Sequence, residues 1–452
     1  MYWRQELADD ETAQERRGIS MRGNDYHDEK LGLKELIAMG VGGMVGGGIF
    51  SVLGLSVSQA GHAAPVAFGI GGVVALLAGY CYARLGLVFR SDGGSFTYLE
   101  HAFENKNVAG IGGWMLLVGY IGTLSLYSYT FGVYGSAMFG ASSQTQVVHH
   151  VLETLILLVF LGVNLYGVAS AGKSEDVIVL VKVLILSMFA FTGLYFVKSS
   201  RLLPFFNKGC VNLLMGAALI FVAYEGFELI PNAVNEMENP ESDLTRSIII
   251  SIVLTTVIYV LVSVVAVGNL LPEEIAKYKE YALAVAAQPF LGKAGFMLIG
   301  LGALLSTASA INATLFGTAR LGMVMAMDED LPKVFSYRER TKDIPYVSLI
   351  AITFLTLIFV NIANLTVISS FASSTFLLIF AAINLSAFKL RDRIKISLGI
   401  PVAGFLLSLS SWIVLIVYLF RTNLRTLTWI FIFYAALAVA ELLFSKRRVV
   451  FR

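Results

Sequence analysis

Leu36-Ile37-Ala38-Met39-Gly40-Val41-Gly42-Gly43-Met44-Val45-Gly46-Gly47-Gly48-Ile49-Phe50 is an apolar stretch interrupted by six glycines. Each glycine costs about 1 kcal/mol relative to Ala inside a helix. A run this dense either unwinds or lets another helix pack very close through small residues. Gly42-Gly43 followed by Gly46-Gly47-Gly48 favours unwinding. A second stretch breaks the same rule. In Phe221-Val222-Ala223-Tyr224-Glu225-Gly226-Phe227-Glu228-Leu229-Ile230-Pro231, a glycine, two carboxylates and a proline stand where an apolar span should run. Charge at membrane depth costs several kcal/mol and faces a cavity or the bundle interior. The other reading ends the helix near Tyr224, with Glu225 at the interface. The apolar run continues to Val234, which favours a break within the span.

The rest of the chain supplies the membrane. Of 452 residues, 57% are hydrophobic and 14% charged, with a mean hydropathy of +0.75. A soluble chain carries roughly 25% charged residues. Uncharged windows cover 36–83, 107–152, 154–172, 209–224, 247–272, 294–319, 344–388 and 396–420. A span needs about 20 apolar residues, so the longest windows hold two each. The windows give twelve helices, at roughly 33–58, 64–88, 108–138, 147–169, 174–198, 211–235, 246–270, 294–326, 345–362, 365–388, 396–420 and 426–445. A β-barrel would show short alternating segments instead. The expected fold is an all-α integral membrane protein.

Residues 1–32 are polar with mixed charge and read as a cytoplasmic tail rather than a signal peptide. Loops on one side hold 24 of the 33 Lys and Arg residues. The positive-inside rule therefore puts both termini in the cytoplasm of a multi-pass plasma-membrane protein. The two interrupted helices are the first and the sixth. Breaks in corresponding positions of two halves point to a transport site between inverted repeats. The division that follows is a tail at 1–32, one repeat of helices 1–5 at 33–198, a second of helices 6–10 at 199–388, and helices 11–12 with the C-terminus at 389–452. Free N–H groups at the half-helix ends attract a carboxylate, and freed carbonyls take an ammonium or a cation.

Three segments carry a family resemblance: Gly46-Gly47-Gly48-Ile49-Phe50, Ala78–Phe103 with Ser91-Asp92-Gly93-Gly94-Ser95, and Tyr224-Glu225-Gly226-Phe227-Glu228 followed by Glu236-Met237-Glu238-Asn239-Pro240. The chain resembles the amino acid–polyamine–organocation (APC) superfamily of transporters over about 33–445. Within it, Ile178–Leu186, Gly302–Ser306 and Glu280–Phe290 are similar to the ApcT type of proton-coupled amino acid transporter. The resemblance implies a LeuT-like 5+5 inverted repeat with discontinuous helices 1 and 6. It implies that Lys182 stands where sodium-driven relatives hold a sodium ion, near the carbonyl of Gly42 and the hydroxyl of Ser306. It further implies a substrate carboxylate on the N–H groups of Gly47 and Gly48 beside Gly46. The substrate amine would meet carbonyls of Met44, Val222 and Glu225, in a site completed by Ala223, Tyr224 and Gly226. Glu228 is a candidate gate.

Lys182 has a reading of its own. It is the one charge in the apolar segment 177–197, about 9 Å along the helix from Asp176. It either snorkels to the interface or exchanges a proton from a desolvated position. Tyr120 and Tyr127 on helix 3 either line the pocket or pack. Glu225 departs from the apolar residue common in the family at this position. It selects a cationic substrate, carries a second proton, or caps the helix break.

The expected function is a proton-coupled amino acid symporter, taking up substrate by alternating access. The alternative is uptake of a polyamine, another organic cation or potassium, and a non-transporting sensor ranks below both. The expected partners are a small molecule such as an amino acid, protons and membrane lipid, with no nucleic acid. No cofactor or metal is expected, because the proton gradient supplies the driving force. Two cysteines and a lone His149-His150 pair offer no metal set, and no Walker-type loop or dispersed triad points to an enzyme.

Overall fold

The computed structural model describes residues 30–91, 93–139, 145–167, 172–339 and 344–444. The tail up to residue 29, Asp92, the side chain of Asp176 and the basic end 445–452 lie outside the described residues. Regular structure among the described residues is helical, apart from an isolated bridge between Leu31 and Met237.

Among the described residues, fourteen α-helices of eight residues or more follow one another. They are α1 (Leu33–Met44), α2 (Gly48–Ala60), α3 (Ala64–Val88), α4 (Ser95–Ala102) and α5 (Lys106–Met138). Next come α6 (Thr145–Tyr166), α7 (Gly172–Tyr195), α8 (Gly209–Leu219), α9 (Pro240–Asn269) and α10 (Ala282–Met327). The chain closes with α11 (Tyr346–Ile362), α12 (Leu365–Lys389), α13 (Gly399–Thr422) and α14 (Leu424–Phe444). Local chemistry starts several of them. Asn105 and Asn364 accept the backbone N–H of Asn107 and Val367, capping α5 and α12. Pro240 opens α9 in the first turn, where its missing N–H costs nothing.

Among the described residues, nine segments are long and apolar enough to cross a membrane, ten with the bent pair Gly209–Leu219 and Phe221–Glu236. The expected twelve also requires dividing Gly48–Val88 at the Gly61–Ala63 turn and counting the 17-residue α11. Apolar side chains stay exposed along the outer helices: Leu155, Leu158 and Val159 on α6, Leu180, Leu184 and Phe191 on α7, Phe354 on α11 and Trp429 on α14. A soluble protein would not expose such a belt, whereas lipid solvates it. The protein is an integral, multi-pass, all-α membrane protein. Inside that ring, α9 packs on α1 and α3, α10 on α5 and α7, and α12 on α5 and α13.

Two details differ from the sequence expectation. The helix expected from 294 is already helical from Ala282, with a kink at Gly292 (φ 60°). The loop after the second span contains α4, which a window search for apolar runs passes over because it is short and mixed.

Candidate functional site

Both interrupted helices are broken, and the breaks cross. α1 ends at Met44 and α2 starts at Gly48, leaving Val45–Gly47 outside helical structure. The glycines divide the two expected roles. Gly46 and Gly47 form the break. Gly40, Gly42 and Gly43 remain helical and serve close packing: an added Cβ would lie 2.6 Å from Ile230, 2.8 Å from Val179 and 3.0 Å from Gly226 respectively. In the sixth span the unwinding starts earlier than Gly226. α8 stops at Leu219, a single 3-10 turn covers Phe221–Tyr224, Glu225 is extended, and a 3-10 helix runs Phe227–Glu236 with Pro231 inside. Gly226 adopts φ +124°, and a Cβ there would fall 2.5 Å from the Gly43 backbone. Only glycine combines that backbone with that approach. Gly48 and Ala223 make a second crossing, at 2.7 Å from such a Cβ to the Ala223 Cα.

Broken helices leave carbonyls without partners, and each unpaired buried one costs about 1–3 kcal/mol. Side chains from other helices fill this gap. Lys182 on α7, fully buried, donates from Nζ to the Gly42 carbonyl at 2.7 Å. Tyr127 on α5 reaches Gly43 O at 3.4 Å. Tyr259 on α9 donates to Met44 O at 2.6 Å and to Ala223 O at 3.0 Å, spanning both breaks. Ser306 on α10 donates to Val45 O at 2.9 Å. On the other break, Ser369 and Ser373 of α12 both donate to Leu219 O, at 2.9 and 2.8 Å. Ser373 also accepts the Val222 N–H at 3.0 Å. The open ends of the two broken spans are tied by Leu31 N to Glu236 O (2.8 Å) and Glu238 N to Leu31 O (3.0 Å).

The expected site residues are therefore brought together, with adjustments. Gly48 meets Ala223 across the crossing and Met44 shares the Tyr259 hydroxyl with Ala223, whereas Gly42 faces Val179, Gly46 faces Ala310 and Tyr127, and Gly47 faces Tyr127 and Thr307. Lys182 reaches the Gly42 carbonyl from α7. The Ser306 hydroxyl donates to the carbonyl of Val45. Tyr224 turns away, donating to Phe68 O at 2.6 Å. Met44 O carries the Tyr259 hydroxyl, and Val222 O accepts the Glu225 N–H at 3.2 Å. The ring of Tyr127 lies against Gly46 and Gly47, where the substrate carboxylate was expected.

The acidic residues sit against α5. Glu225, 3% exposed, meets the Thr123 hydroxyl, and Glu228, 2% exposed, accepts Gly226 N–H at 2.8 Å and lies 3.5 Å from the Tyr120 hydroxyl. Among the described residues, no Lys, Arg or His forms an ion pair with either. A crevice lined by Tyr120, Glu228, Asn232, Ser95 and Leu321 reaches Glu228 but not the crossing itself.

Tyr259, Thr123, Ser369 and Ser373 were missed by sequence reasoning. Ser369-Ser370 and Ser373-Ser374-Thr375 within an otherwise apolar span were a readable signal. A single Tyr or Thr in a span carries none.

The amino acid permease family matches residues 31–442. The chain belongs to that family. This permease is 33% identical to a Methanocaldococcus jannaschii protein described as uncharacterized, over 93% of this chain and 97% of the other. It is 30% identical to the inner membrane transport protein YbaT of Escherichia coli, over 91% and 95%. It is 27% identical to the methylthioribose transporter of Bacillus subtilis, over 88% of each. The permease is a membrane transporter of the APC superfamily.

Proposed function

We propose that this permease is a proton-coupled amino acid symporter working by alternating access. The observation that carries the reading is the Lys182 ammonium on the Gly42 carbonyl, at the break in the first span and fully buried. A lysine can give up its proton and take one back. Protonated, it clamps α7 to the broken first span; deprotonated, it releases the Gly42 carbonyl and loosens that clamp. Proton occupancy of one group is thereby tied to the geometry of the substrate site. The substrate backbone docks at the crossing, after Tyr127 moves off Gly46 and Gly47, with its carboxylate toward Gly47 and Gly48 and its amine toward Met44, Val222 and Glu225. Glu228, at the inner end of a crevice, gates that site. Twelve spans in a LeuT-like 5+5 arrangement divide the chain at 33–198 and 199–388, after a tail at 1–32 and before 389–452. Both termini lie in the cytoplasm, at the plasma membrane. The proton gradient is the driving force and no cofactor takes part.

A second reading is uptake of a polyamine, another organic cation or potassium. Two buried carboxylates, Glu225 and Glu228, without an ion-pair partner among the described residues favour it. Proteoliposome uptake separates the two. The panel holds the common amino acids, putrescine, potassium and methylthioribose, with and without an inward proton gradient. Gradient-stimulated accumulation of an amino acid supports the first reading. Accumulation of an amine or potassium alone replaces it with the second.

A further inference from the structure

The hydrogen bonds around Glu225 and Glu228 are not equivalent, and the difference assigns them separate tasks. Glu228 accepts on one oxygen, at 2.8 Å, from the Gly226 N–H, a partner that can only donate, while the Tyr120 hydroxyl lies 3.5 Å from the other. An amide N–H cannot accept, so this surrounding suits a carboxylate. Glu225 is met by the Thr123 hydroxyl, which both donates and accepts. The same hydroxyl lies 3.2 Å from the Gly119 carbonyl of its own helix. One hydroxyl proton thus has two places to go.

We propose that Thr123 is a positioning residue that lets Glu225 take up and return a proton during transport, while Glu228 keeps its charge. With Glu225 ionised, Thr123 donates to its carboxylate. When Glu225 takes a proton from the aqueous phase, its new O–H donates to the Thr123 oxygen, and the Thr123 hydroxyl turns to the Gly119 carbonyl. In each state the Thr123 hydroxyl keeps a hydrogen bond to Glu225 and its own proton keeps an acceptor. The exchange adds one proton and one unit of charge to the pair and needs no other reactant. Two neighbouring carboxyls without a cation opposite them hold one negative charge more easily than two. Both lie where the sixth span crosses the first, so the charge of the pair is felt at the place where the substrate docks.

The titratable groups near Glu225 are few. Glu228 lies on its own segment, Tyr82 on α3, and Tyr120 and Tyr127 on α5. Tyr259 of α9 faces the adjacent carbonyls. α10 and α12 present Ser306, Thr307 and Ser373 here, none of which titrates. Lys182 of α7 is committed to the Gly42 side of the crossing.

The inference rests on the proton-coupled reading above, and its test is independent of substrate. Infrared difference spectra of the full-length protein in lipid, between pH 9 and pH 5, report the C=O stretch of a protonated buried carboxylic acid. The wild type is expected to show a titrating band that is lost in Glu225→Gln and retained in Glu228→Gln. Thr123→Val should move the frequency of the band and displace its midpoint by about one pH unit, whereas Thr123→Ser should restore both. A band that survives Glu225→Gln, or disappears in Glu228→Gln, overturns the assignment. So does a band in Thr123→Val indistinguishable from wild type. Lys182→Ala separates the two ideas, because an ammonium has no C=O stretch. Loss of the Glu225 band tests this inference, and retained gradient-driven accumulation in Lys182→Ala tests the coupling role of Lys182.

Discussion

The two breaks solve one problem in opposite ways. The first span is interrupted over three residues, Val45–Gly47, and its freed carbonyls are held by donors from other helices: Lys182, Tyr127, Tyr259 and Ser306. The sixth span is irregular from Ile220 to Glu236, depends on one glycine at φ +124°, and brings its own acids. A short break made by glycine and clamped from outside moves when its clamps let go. A long break with built-in carboxylates is set by local backbone and by charge. The difference sets a buried ammonium, Lys182 of α7, on the first break and two buried carboxylates, Glu225 and Glu228, in the sixth.

The largest expected effect tests the backbone of the sixth span. Gly226→Ala combines a left-handed penalty with a clash on Gly43 and should cost about 3 kcal/mol or more. Gly209→Ala has the same sign of φ (+80°) but nothing within 4 Å of the new Cβ, and should cost about 1–2 kcal/mol. Thermal unfolding of the two purified variants checks this; equal losses would mean that the crossing is loosely packed.

Bulk on the first break comes next. Gly47→Val and Gly48→Val place a Cβ 2.5 Å from the Tyr127 ring and 2.7 Å from the Ala223 Cα. Each should cost about 1–3 kcal/mol and remove thermal stabilisation by the transported substrate. Gly69→Val on α3, with open space at its Cβ, should keep that stabilisation. Gly71 is no neutral comparison, since its Cβ would meet Tyr224 at 2.7 Å.

Removing the tie between the breaks should do less. Tyr259→Phe keeps the ring packed on Phe68 and Tyr224 and loses the hydroxyl that serves two carbonyls. A fall in stability of about 1–2 kcal/mol is expected in chemical or thermal unfolding. The smallest pair lies on α12. Ser373→Ala loses bonds to Leu219 and Val222 and should cost about 1 kcal/mol. Ser369→Ala leaves Leu219 O still served by Ser373 and should cost about half that. A reversed order would show that the end of α8 is held differently.

Much of this was legible because glycine and charge stand out against an apolar background. Gly42–Gly48, the Glu225–Gly226–Glu228 cluster and Lys182 each violate what a lipid-exposed helix tolerates, so each announced a special place. The partners were not legible for the opposite reason. Tyr259, Thr123 and Ser373 are ordinary in a membrane helix, where a hydroxyl can bond back to the preceding turn, as Thr130 does to Leu126 O. Only the fold shows which hydroxyl reaches another helix. The start of the sixth break at Ile220 was hidden too, because Leu219-Ile220-Phe221-Val222 is as apolar as any continuous helix.

The most direct test of proton coupling through Lys182 is the internal pH of proteoliposomes. A trapped pH-sensitive dye is followed after adding, from outside, the substrate that the uptake panel identifies. The wild type should acidify the lumen as substrate enters. Lys182→Ala, reconstituted to the same level and still stabilised by substrate, should show neither acidification nor accumulation against a gradient. Substrate-driven acidification of wild-type size in Lys182→Ala would contradict the account.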